Sequence, residues 1–216
     1  MNYPSGSGIK KKNFCHNISH KNRGMNLESD LNITNEYYRD IDKAYIYKKP
    51  TPIQIVKVNY ESRSLATIKE AYFKEPSTTD YNGLYNGKYI DFEAKESNIS
   101  TSFSLNNIHK HQIKHLKNIS KHGGIAFLIV RFVKIDETFL LFADDLFSFL
   151  DNNSRKSIPL DYFRKKGYII KNKLNPRVDY LEIIDRIYGG IQWIKMKLIE
   201  EIQHLLKKEQ KKLKVG

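Results

Sequence analysis

The sequence has little of two features that define common protein classes: cysteine and long apolar runs. It contains a single cysteine in 216 residues, Cys15, so no disulfide can form within the chain. One cysteine suits a reducing compartment, and without a second thiol Cys15 and His16 do not form a zinc site. The longest apolar run, 125–130, is too short to cross a bilayer, and the N-terminus lacks the apolar segment of a signal peptide. We therefore expect a soluble intracellular protein with no membrane partner.

The N-terminal end of the chain lacks acidic residues altogether. Residues 1–24 carry five basic residues and a net charge of +5, and residues 191–216 carry +4. Together these ends hold about two thirds of the formal net charge of +13. Basic arms of this kind are typical of proteins that bind the phosphates of nucleic acids. The rest of the 25.4 kDa chain is long enough for one domain with a sizeable core.

What the sequence does contain is a charged β-hairpin. The Asn-Gly dipeptide at 86–87, the strongest short-range hairpin signal, lies between Asp80 and the segment 90–95. Glu93 and Lys95 are two residues apart and therefore point to the same face, where we expect Asp80 of the neighbouring strand to meet them. Two carboxylates can hold Mg²⁺, and an ammonium beside them can stabilise charge on a phosphate. The pattern predicts a metal-dependent nuclease.

Several alternatives stay open at this point. In a chain with 28% charged residues, an Asp followed by Glu-x-Lys also arises by chance on a solvated sheet face. Asp91 shares the polar face of its strand with Glu93 and could take the same role. Glu28 on a predicted first helix could add another acid to the site. His111 and His115 have helical spacing suited to zinc, but no nearby acid completes the corresponding protease motif.

Motifs along most of the chain resemble the RecU-type Holliday junction resolvases, endonucleases of low-GC Gram-positive bacteria that cut four-way DNA junctions. The resemblance spans residues 22 to about 188. It rests, in order, on the segments 22–25, 48–56, 68–74, 77–83, 89–96, 111–113, 123–125, 155–158 and 176–180. Several independent motifs in the right order are far more specific than Glu-x-Lys alone.

The resemblance implies a complete catalytic and metal site. Asp80, Glu93 and Lys95 would be the catalytic residues. Mg²⁺, or Mn²⁺ in its place, would be held by Asp80 and Glu93 together with Thr78 and Gln112. Thr78 lies two residues before Asp80 and is therefore expected on the same strand face, whereas only the resemblance selects Gln112. It further implies a homodimer whose two sites make paired, symmetric nicks during recombination and DNA repair.

DNA contacts are expected in segment 58–74, which in the resembling family is a stalk that protrudes from the dimer and enters the open junction. Basic residues there can neutralise phosphates, and aromatic residues can stack on or wedge between bases. The residues selected for DNA binding are Arg23, Arg63, Lys69, Tyr72, Phe73 and Lys74. The resemblance also implies modulation of the RecA recombinase, with Arg23 as the candidate, contact with a branch-migration helicase, and a cytoplasmic, nucleoid-associated location.

Three regions are expected: a flexible basic arm (1–22), a nuclease domain (23–190) and a basic amphipathic extension (191–216). The patterning predicts an α/β fold, which the resemblance narrows to a restriction-endonuclease-like mixed central sheet flanked by helices, with a protruding stalk. Besides the hairpin, helices are predicted at 25–38, 105–122, 143–150 and 178–188, and strands at 44–47, 53–58, 124–132 and 138–142. In the extension, apolar residues recur every three or four positions, which favours a helix packed on the body or on a second subunit over one bound to DNA or a membrane surface.

The predicted function is therefore a junction-cutting endonuclease. A junction-binding protein without cleavage is the alternative, and the intact Asp80, Glu93 and Lys95 argue against it. A basic RNA-binding protein would explain the charge but neither the acidic pair nor the hairpin.

Overall fold

The computed structural model describes residues 26–60, 62, 65–74 and 78–189. The predicted basic arm and C-terminal extension, with Arg23 and Arg63, lie outside these residues. The helices are α1 (Leu27–Asp40), α2 (Lys110–Lys121), α3 (Ala143–Asn152), α4 (Leu160–Lys166) and α5 (Tyr180–Ile184). The strands are β1 (Tyr45–Lys48), β2 (Ile53–Asn59), β3 (Thr67–Phe73), β4 (Tyr81–Tyr85), β5 (Lys88–Ser97), β6 (Ser102–Ser104), β7 (Ile125–Phe132), β8 (Glu137–Phe142), β9 (Ser157–Pro159) and β10 (Tyr168–Ile170).

A six-stranded mixed sheet forms the centre, in the order β1-β4-β5-β7-β8-β10. Strands β5 and β7 are parallel, and the other neighbours are antiparallel. Every residue of β7 is buried, because this apolar strand is covered on both faces. The predicted α/β class, with a mixed central sheet flanked by helices, is confirmed.

The hairpin predicted from the Asn-Gly dipeptide joins β4 to β5. Asn86 and Gly87 both have positive φ angles, 47° and 72°, as a tight two-residue hairpin turn requires. In the middle of β4, Gly83 lies opposite Ile46 of β1, and a Cβ there would lie 2.0 Å from the carbonyl oxygen of Tyr45. The glycine therefore allows β1 to pair closely with the hairpin, which places β5 inside the sheet.

The central sheet has an apolar core on each of its two faces. On one face, α1 and α5 cover an aromatic stack in which the rings of Tyr81, Phe92 and Phe127 follow one another at 4.8 Å. On the other face, α2, α3 and α4 cover apolar side chains of β7 and β8. Because side chains alternate along a strand, β5 presents Phe92 to the first face and Glu93 to the second. An acidic side chain thus lies in the layer between the sheet and α2.

Strands β2 and β3 form a separate antiparallel ribbon that pairs with no other described strand. All of its strand residues are exposed except the half-buried Asn59. The ribbon corresponds to the expected stalk, although its strands begin at Ile53, before the predicted boundary at 58.

Two predicted helices are wrong in extent. The helix expected at 105–122 is interrupted after a 3₁₀ turn, Leu105–Asn107, because Ile108 adopts an extended conformation that buries its side chain. The helix expected at 178–188 starts at Tyr180 because the backbone of Val178 pairs with Asn172 and donates to the hydroxyl of Thr34. Strands β3, β6, β9 and β10 and helix α4 were not predicted. None of the described helices is both long and apolar enough to span a membrane.

Candidate active site

The hairpin brings the three predicted catalytic side chains together where β4 begins. Asp80 directly precedes β4 and is not part of it, so the prediction that Thr78 and Asp80 share a strand face is wrong. Tyr81 pairs with Phe92, which places Asp80 beside Glu93. The backbone N–H of Asp80 donates to Oε2 of Glu93 over 3.1 Å. This bond fixes the segment before β4 against the middle of β5.

Lys95 completes the group. Its Nζ lies 2.5 Å from Oε1 of Glu93 and 3.8 Å from Oδ2 of Asp80. The side chain of Glu93 has no exposed surface, whereas 25% of Lys95 and 41% of Asp80 are exposed. The ammonium therefore bridges a buried carboxylate and a carboxylate that reaches solvent. A phosphate approaching from solvent would meet Asp80 and Lys95, with Glu93 behind them.

The electrostatic environment of Glu93 is unusual for a carboxyl group. Burial raises the pKa of Glu93 from its ordinary value of 4.5 to about 7, and the charge of Asp80 adds to the rise while Lys95 opposes it. The neighbouring Tyr81 hydroxyl also has a raised pKa, because of burial and the charges of Glu28, Asp80 and Glu93. Negative charge is thus concentrated at a site that favours a positively charged group.

Asp91, the alternative to Glu93, is occupied by other partners. Its side chain is fully buried, and its Oδ1 accepts a hydrogen bond from the hydroxyl of Thr79. Its Oδ2 lies 2.8 Å from Nζ of Lys49 and 3.1 Å from the Tyr89 hydroxyl. Nε2 of His115, on α2, lies 3.1 Å from the same oxygen. A carboxylate with four partners has little capacity left for a metal.

The two predicted neutral ligands come from the segment before β4 and from α2. The Thr78 hydroxyl donates to the carbonyl oxygen of Thr79 over a long 3.4 Å. Gln112 is buried on α2, where its Oε1 accepts from the backbone N–H of His109 at the helix start. Because α2 connects the parallel strands β5 and β7, it runs antiparallel to them. Gln112 precedes His115 by about one turn on the same face, so it is displaced from Asp91 towards Glu93.

These oxygens fit a hard divalent cation. Oε1 of Glu93 is buried, and its contact with Lys95 is not aligned as a hydrogen bond. With Asp80, Thr78 and Gln112, the chain offers carboxylate, hydroxyl and amide oxygens, the ligands that Mg²⁺ prefers over nitrogen or sulfur. Across residues 26–60, 62, 65–74 and 78–189, no three His, Cys, Asp or Glu side chains cluster as a metal site. Two carboxylates with two neutral oxygens would suit a cation that retains several waters.

The predicted DNA-binding residues that the structure describes all lie on β3 or directly after it. Lys69 occupies an irregularity in the β2–β3 pairing, between the partners of Lys57 and Val58. Phe73 is 83% exposed, and Tyr72 is exposed with its hydroxyl bonded to Glu70. Lys74 is exposed, and its backbone N–H donates to the carbonyl oxygen of Pro52. The ring of Phe73 packs in neither of the two cores.

Sequence reasoning missed the partners of Asp91. Lys49, Thr79 and His115 come from three separate segments, and no local spacing relates them. The only signal was Asp91 itself, a second acid on the inward face of a strand. Glu28, considered as a further acid, is exposed and forms an ion pair with Lys48 at 2.5 Å.

Comparison with known proteins places the chain among recombination proteins. Residues 22–186 match the family described as Recombination protein U. "Holliday junction resolvase RecU" of Pediococcus pentosaceus is 52% identical over 199 residues, which cover 88% of this chain and 99% of the relative. The proteins of the same name from Geobacillus sp. (strain WCH70) and Oceanobacillus iheyensis are 50% and 49% identical, and the matches cover 86% and 87% of this chain and 96% and 100% of the relatives.

A solved structure of Hjc from Archaeoglobus fulgidus, a Holliday junction resolvase, matches with a TM-score of 0.36 and 10% identity, over 62% of this chain and 93% of its own. A likeness of this size carries no argument about fold or function. The family itself is shown by the match over residues 22–186 and by relatives that are about half identical over nearly their whole length. This chain belongs to the Recombination protein U family.

Proposed function

We propose that this protein is a Mg²⁺-dependent endonuclease that resolves four-way DNA junctions by paired symmetric nicks. The observation that carries the proposal is the convergence of Asp80, Glu93 and Lys95 within hydrogen-bond and ion-pair distances. Curated relatives of the same family are named Holliday junction resolvases. A metal-dependent nuclease of the proposed type uses two carboxylates and a positively charged side chain at one point, and Asp80, Glu93 and Lys95 provide these groups.

Each side chain has a distinct role in phosphodiester cleavage. Asp80 and Glu93 would hold Mg²⁺, assisted by Thr78 and Gln112. When bound, Mg²⁺ lowers the pKa of a coordinated water and polarises the phosphoryl oxygen. In the metal-free protein, burial of the charged form raises the pKa of Glu93. The positive charge of the cation would offset this cost of burial, so Glu93 would be ionised in the metal-bound protein. The buried position of Glu93 excludes bulk water on one side and orients the group without cost at the moment of reaction.

Lys95 would stabilise the transition state. Its ammonium forms an ion pair with Glu93 at 2.5 Å and remains 25% exposed, so its position is restricted while one side stays open to DNA. Negative charge on the non-bridging oxygens increases as the pentavalent phosphorane forms. A fixed ammonium interacts more strongly with that charge than with the ground-state phosphate, and such differential binding accelerates the reaction.

The β2–β3 ribbon supports a homodimer. Its pairing places six residues on one face: Ile53, Ile55, Val58, Ile68, Ala71 and Phe73. The opposite face carries Gln54, Lys57, Glu70 and Tyr72. The large apolar side chains are between 43% and 83% exposed, although an isolated two-stranded ribbon is only marginally stable in water. A second copy, related by a two-fold axis, would cover this apolar face and supply the second nicking site. Modulation of RecA through Arg23 and contact with a branch-migration helicase belong to the same proposal.

Cleavage of an end-labelled synthetic four-way junction tests the proposal. With Mg²⁺ we expect two nicks at symmetry-related positions on opposite strands, and with EDTA we expect binding without nicks. A linear duplex of the same sequence is the control for structure specificity. Binding without cleavage at any Mg²⁺ or Mn²⁺ concentration would identify a non-cleaving junction-binding protein, and equal cleavage of the linear duplex would exclude a resolvase.

A further inference from the structure

The proposed metal ligands come from three separate elements. Thr78 and Asp80 lie in the segment before β4, Glu93 lies on β5 and Gln112 lies on α2. A metal site requires the ligand oxygens to be held within a fraction of an ångström. These three elements must therefore be fixed relative to each other by contacts outside the ligand set.

Asp91 contacts all of these elements. Thr79, between two of the proposed ligands, donates to Oδ1, and His115, on the same face of α2 as Gln112, lies 3.1 Å from Oδ2. Asp91 itself belongs to β5, two residues before Glu93. Its side chain therefore lies at the junction of the segment before β4, the central strand and α2.

Lys49 closes the cluster. Its Nζ lies 2.8 Å from Oδ2 of Asp91 and donates to the Thr79 hydroxyl at 3.0 Å. Its backbone N–H donates to the carbonyl oxygen of Asp80 at 2.7 Å. One residue thus holds both the main chain of Asp80 and the side chain of its neighbour. We name Asp91, Lys49, Thr79 and His115 the Asp91 cluster.

The energetic consequences follow from burial. Asp91 is 0% exposed and Thr79 is 3% exposed, so the bonds between them form away from water. Charge-assisted hydrogen bonds in such surroundings are strong and directional, and a partner left unpaired pays its full desolvation cost. Loss of the Asp91 carboxylate would leave Thr79 and Lys49 without their shared acceptor. The segment before β4 would then be free to move relative to β5.

We propose that Asp91 is a positioning residue that sets the geometry of the metal site by holding Asp80 and α2 against β5. The proposal rests on the proposed function and adds to it a residue that does not itself touch metal or DNA. It accounts for a fully buried acid two residues from Glu93 that has four partners and little capacity left for a metal. It also accounts for the fact that a partner residue comes from each element carrying a proposed ligand.

Two conservative series test the proposal in the full-length protein. Thr79→Val removes the hydroxyl and keeps the shape, and Thr79→Ser restores the hydroxyl. Asp91→Asn keeps the size but loses the charge. The measurements are the dissociation constant for Mn²⁺ alone, by electron paramagnetic resonance, the Mg²⁺ concentration that gives half-maximal nicking, and junction binding in EDTA.

We expect Asp91→Asn and Thr79→Val to weaken Mn²⁺ binding about tenfold or more, in line with the cost of losing partners that orient metal ligands. The Mg²⁺ midpoint should rise in parallel, binding in EDTA should stay within about twofold, and Thr79→Ser should be close to wild type. Thr138, another buried threonine, lies on β8, two strands from β5, and accepts from Nε of Arg131 at 3.2 Å. Thr138→Val is the matched control and should lower stability without changing Mn²⁺ affinity.

Wild-type Mn²⁺ affinity in both Thr79→Val and folded Asp91→Asn would overturn the positioning role. Loss of Mn²⁺ affinity in Thr138→Val to the same extent would also overturn it, since the effect would then be general destabilisation. If Asp91→Asn abolishes Mn²⁺ binding while Glu93→Gln keeps it, Asp91 is the ligand and both the proposed role and the proposed ligand set are wrong. If the wild type does not cleave, the proposed function is contradicted. The Mn²⁺ affinities of the variants then decide by themselves whether Asp91 positions the metal site.

A second observation concerns the outer face of α2. Lys110, Lys114, Lys117 and Lys121 recur at steps of four, three and four residues, so they form one stripe, and all four are exposed. The helix contains no acidic residue, and within the described part of the chain no acid forms an ion pair with any of the four. Like charges at this spacing destabilise an isolated helix. The stripe spans about 16 Å.

We infer that this α2 lysine stripe contacts the phosphate backbone of a duplex arm of the DNA. Gln112 lies near the start of α2 but on the side of the helix opposite the stripe, so the stripe would contact an arm of the DNA away from the strand held at the proposed metal site. The ammonium of Lys117 also lies 5.8 Å from the centre of the Phe147 ring. A polyanion would compensate the four charges, none of which has an acidic partner among the described residues, and each phosphate neutralised contributes to the salt dependence of binding. This surface is separate from the β2–β3 ribbon.

Substitution of all four lysines by glutamine tests the α2 lysine stripe. We expect weaker junction binding and a slope of log affinity against log salt reduced by about 2 to 4, at about 0.9 for each phosphate that is no longer neutralised. The matched control replaces four exposed lysines elsewhere, Lys134, Lys165, Lys166 and Lys171, with the same change in net charge. Equal slopes for the two variants, or a wild-type slope for the first, would refute the inference.

Discussion

The buried carboxylate of Glu93 should make the metal-free protein less stable as the pH rises. Its pKa is raised to about 7 by burial and by Asp80, against an ordinary value of 4.5 in the unfolded chain. Between these values the unfolded chain loses the proton while the folded protein keeps it, so folding becomes less favourable with increasing pH. At about 1.4 kcal/mol per pKa unit, the destabilisation approaches about 3 kcal/mol above pH 7. About 2 to 3 kcal/mol of it develops between pH 5 and pH 8.

Glu93→Gln should remove this pH dependence, since glutamine carries no charge at either pH. Urea unfolding in EDTA at pH 5 and pH 8 measures the effect as the difference between wild type and variant, in which the titrating groups that do not interact with Glu93 cancel. Glu36→Gln is the control, because Glu36 is exposed on α1. Mg²⁺ should stabilise the wild type more at pH 8 than at pH 5, because it binds the ionised carboxylate. An unchanged pH dependence in Glu93→Gln would refute the electrostatic account of the site.

Three further substitutions separate cutting from binding. Lys95→Ala should slow nicking at saturating Mg²⁺ by about a hundredfold or more, as for removal of one transition-state donor, with a small change in junction binding; a rate within threefold of wild type in single-turnover assays would contradict this. Asp80→Asn should abolish nicking and keep or tighten binding in EDTA, since the free carboxylate repels phosphate; weaker binding in gel shifts would count against it. Lys69→Ala should lower the salt slope of binding by about 0.9 and leave the chemical step intact, and an unchanged slope would remove Lys69 from the DNA contacts.

The parts of the fold that depend on short-range rules were predictable. The Asn-Gly turn, the alternation along β5 and the Asn26 cap of α1, whose side chain accepts from the Ser29 N–H at 2.8 Å, all follow from local chemistry. The turn and the alternation are sufficient to bring Glu93 and Lys95 to one face of the hairpin. The family resemblance selected Glu93 over Asp91 without a physical reason.

The remainder depends on tertiary contacts that no local pattern encodes. Burial of Ile108 interrupts the predicted helix, and the backbone of Val178 is held by Thr34 from α1. Gln112 looked like an exposed residue on a polar helix, but the packing of α2 on β5 buries it. The physical reason for preferring Glu93 over Asp91 as the metal ligand also depends on tertiary contacts, because four partners already bind the carboxylate of Asp91.

Anomalous diffraction from crystals grown with Mn²⁺ would locate the metal ion of the proposed nuclease site directly. We expect a peak about 2 Å from one carboxylate oxygen of Glu93 and one of Asp80, with Lys95 close by and Asp91 not coordinated. The peak should disappear in Glu93→Gln. A peak on Asp91, or well-occupied Mn²⁺ elsewhere with none between Asp80 and Glu93, would contradict the assignment of this site as the metal centre of the nuclease.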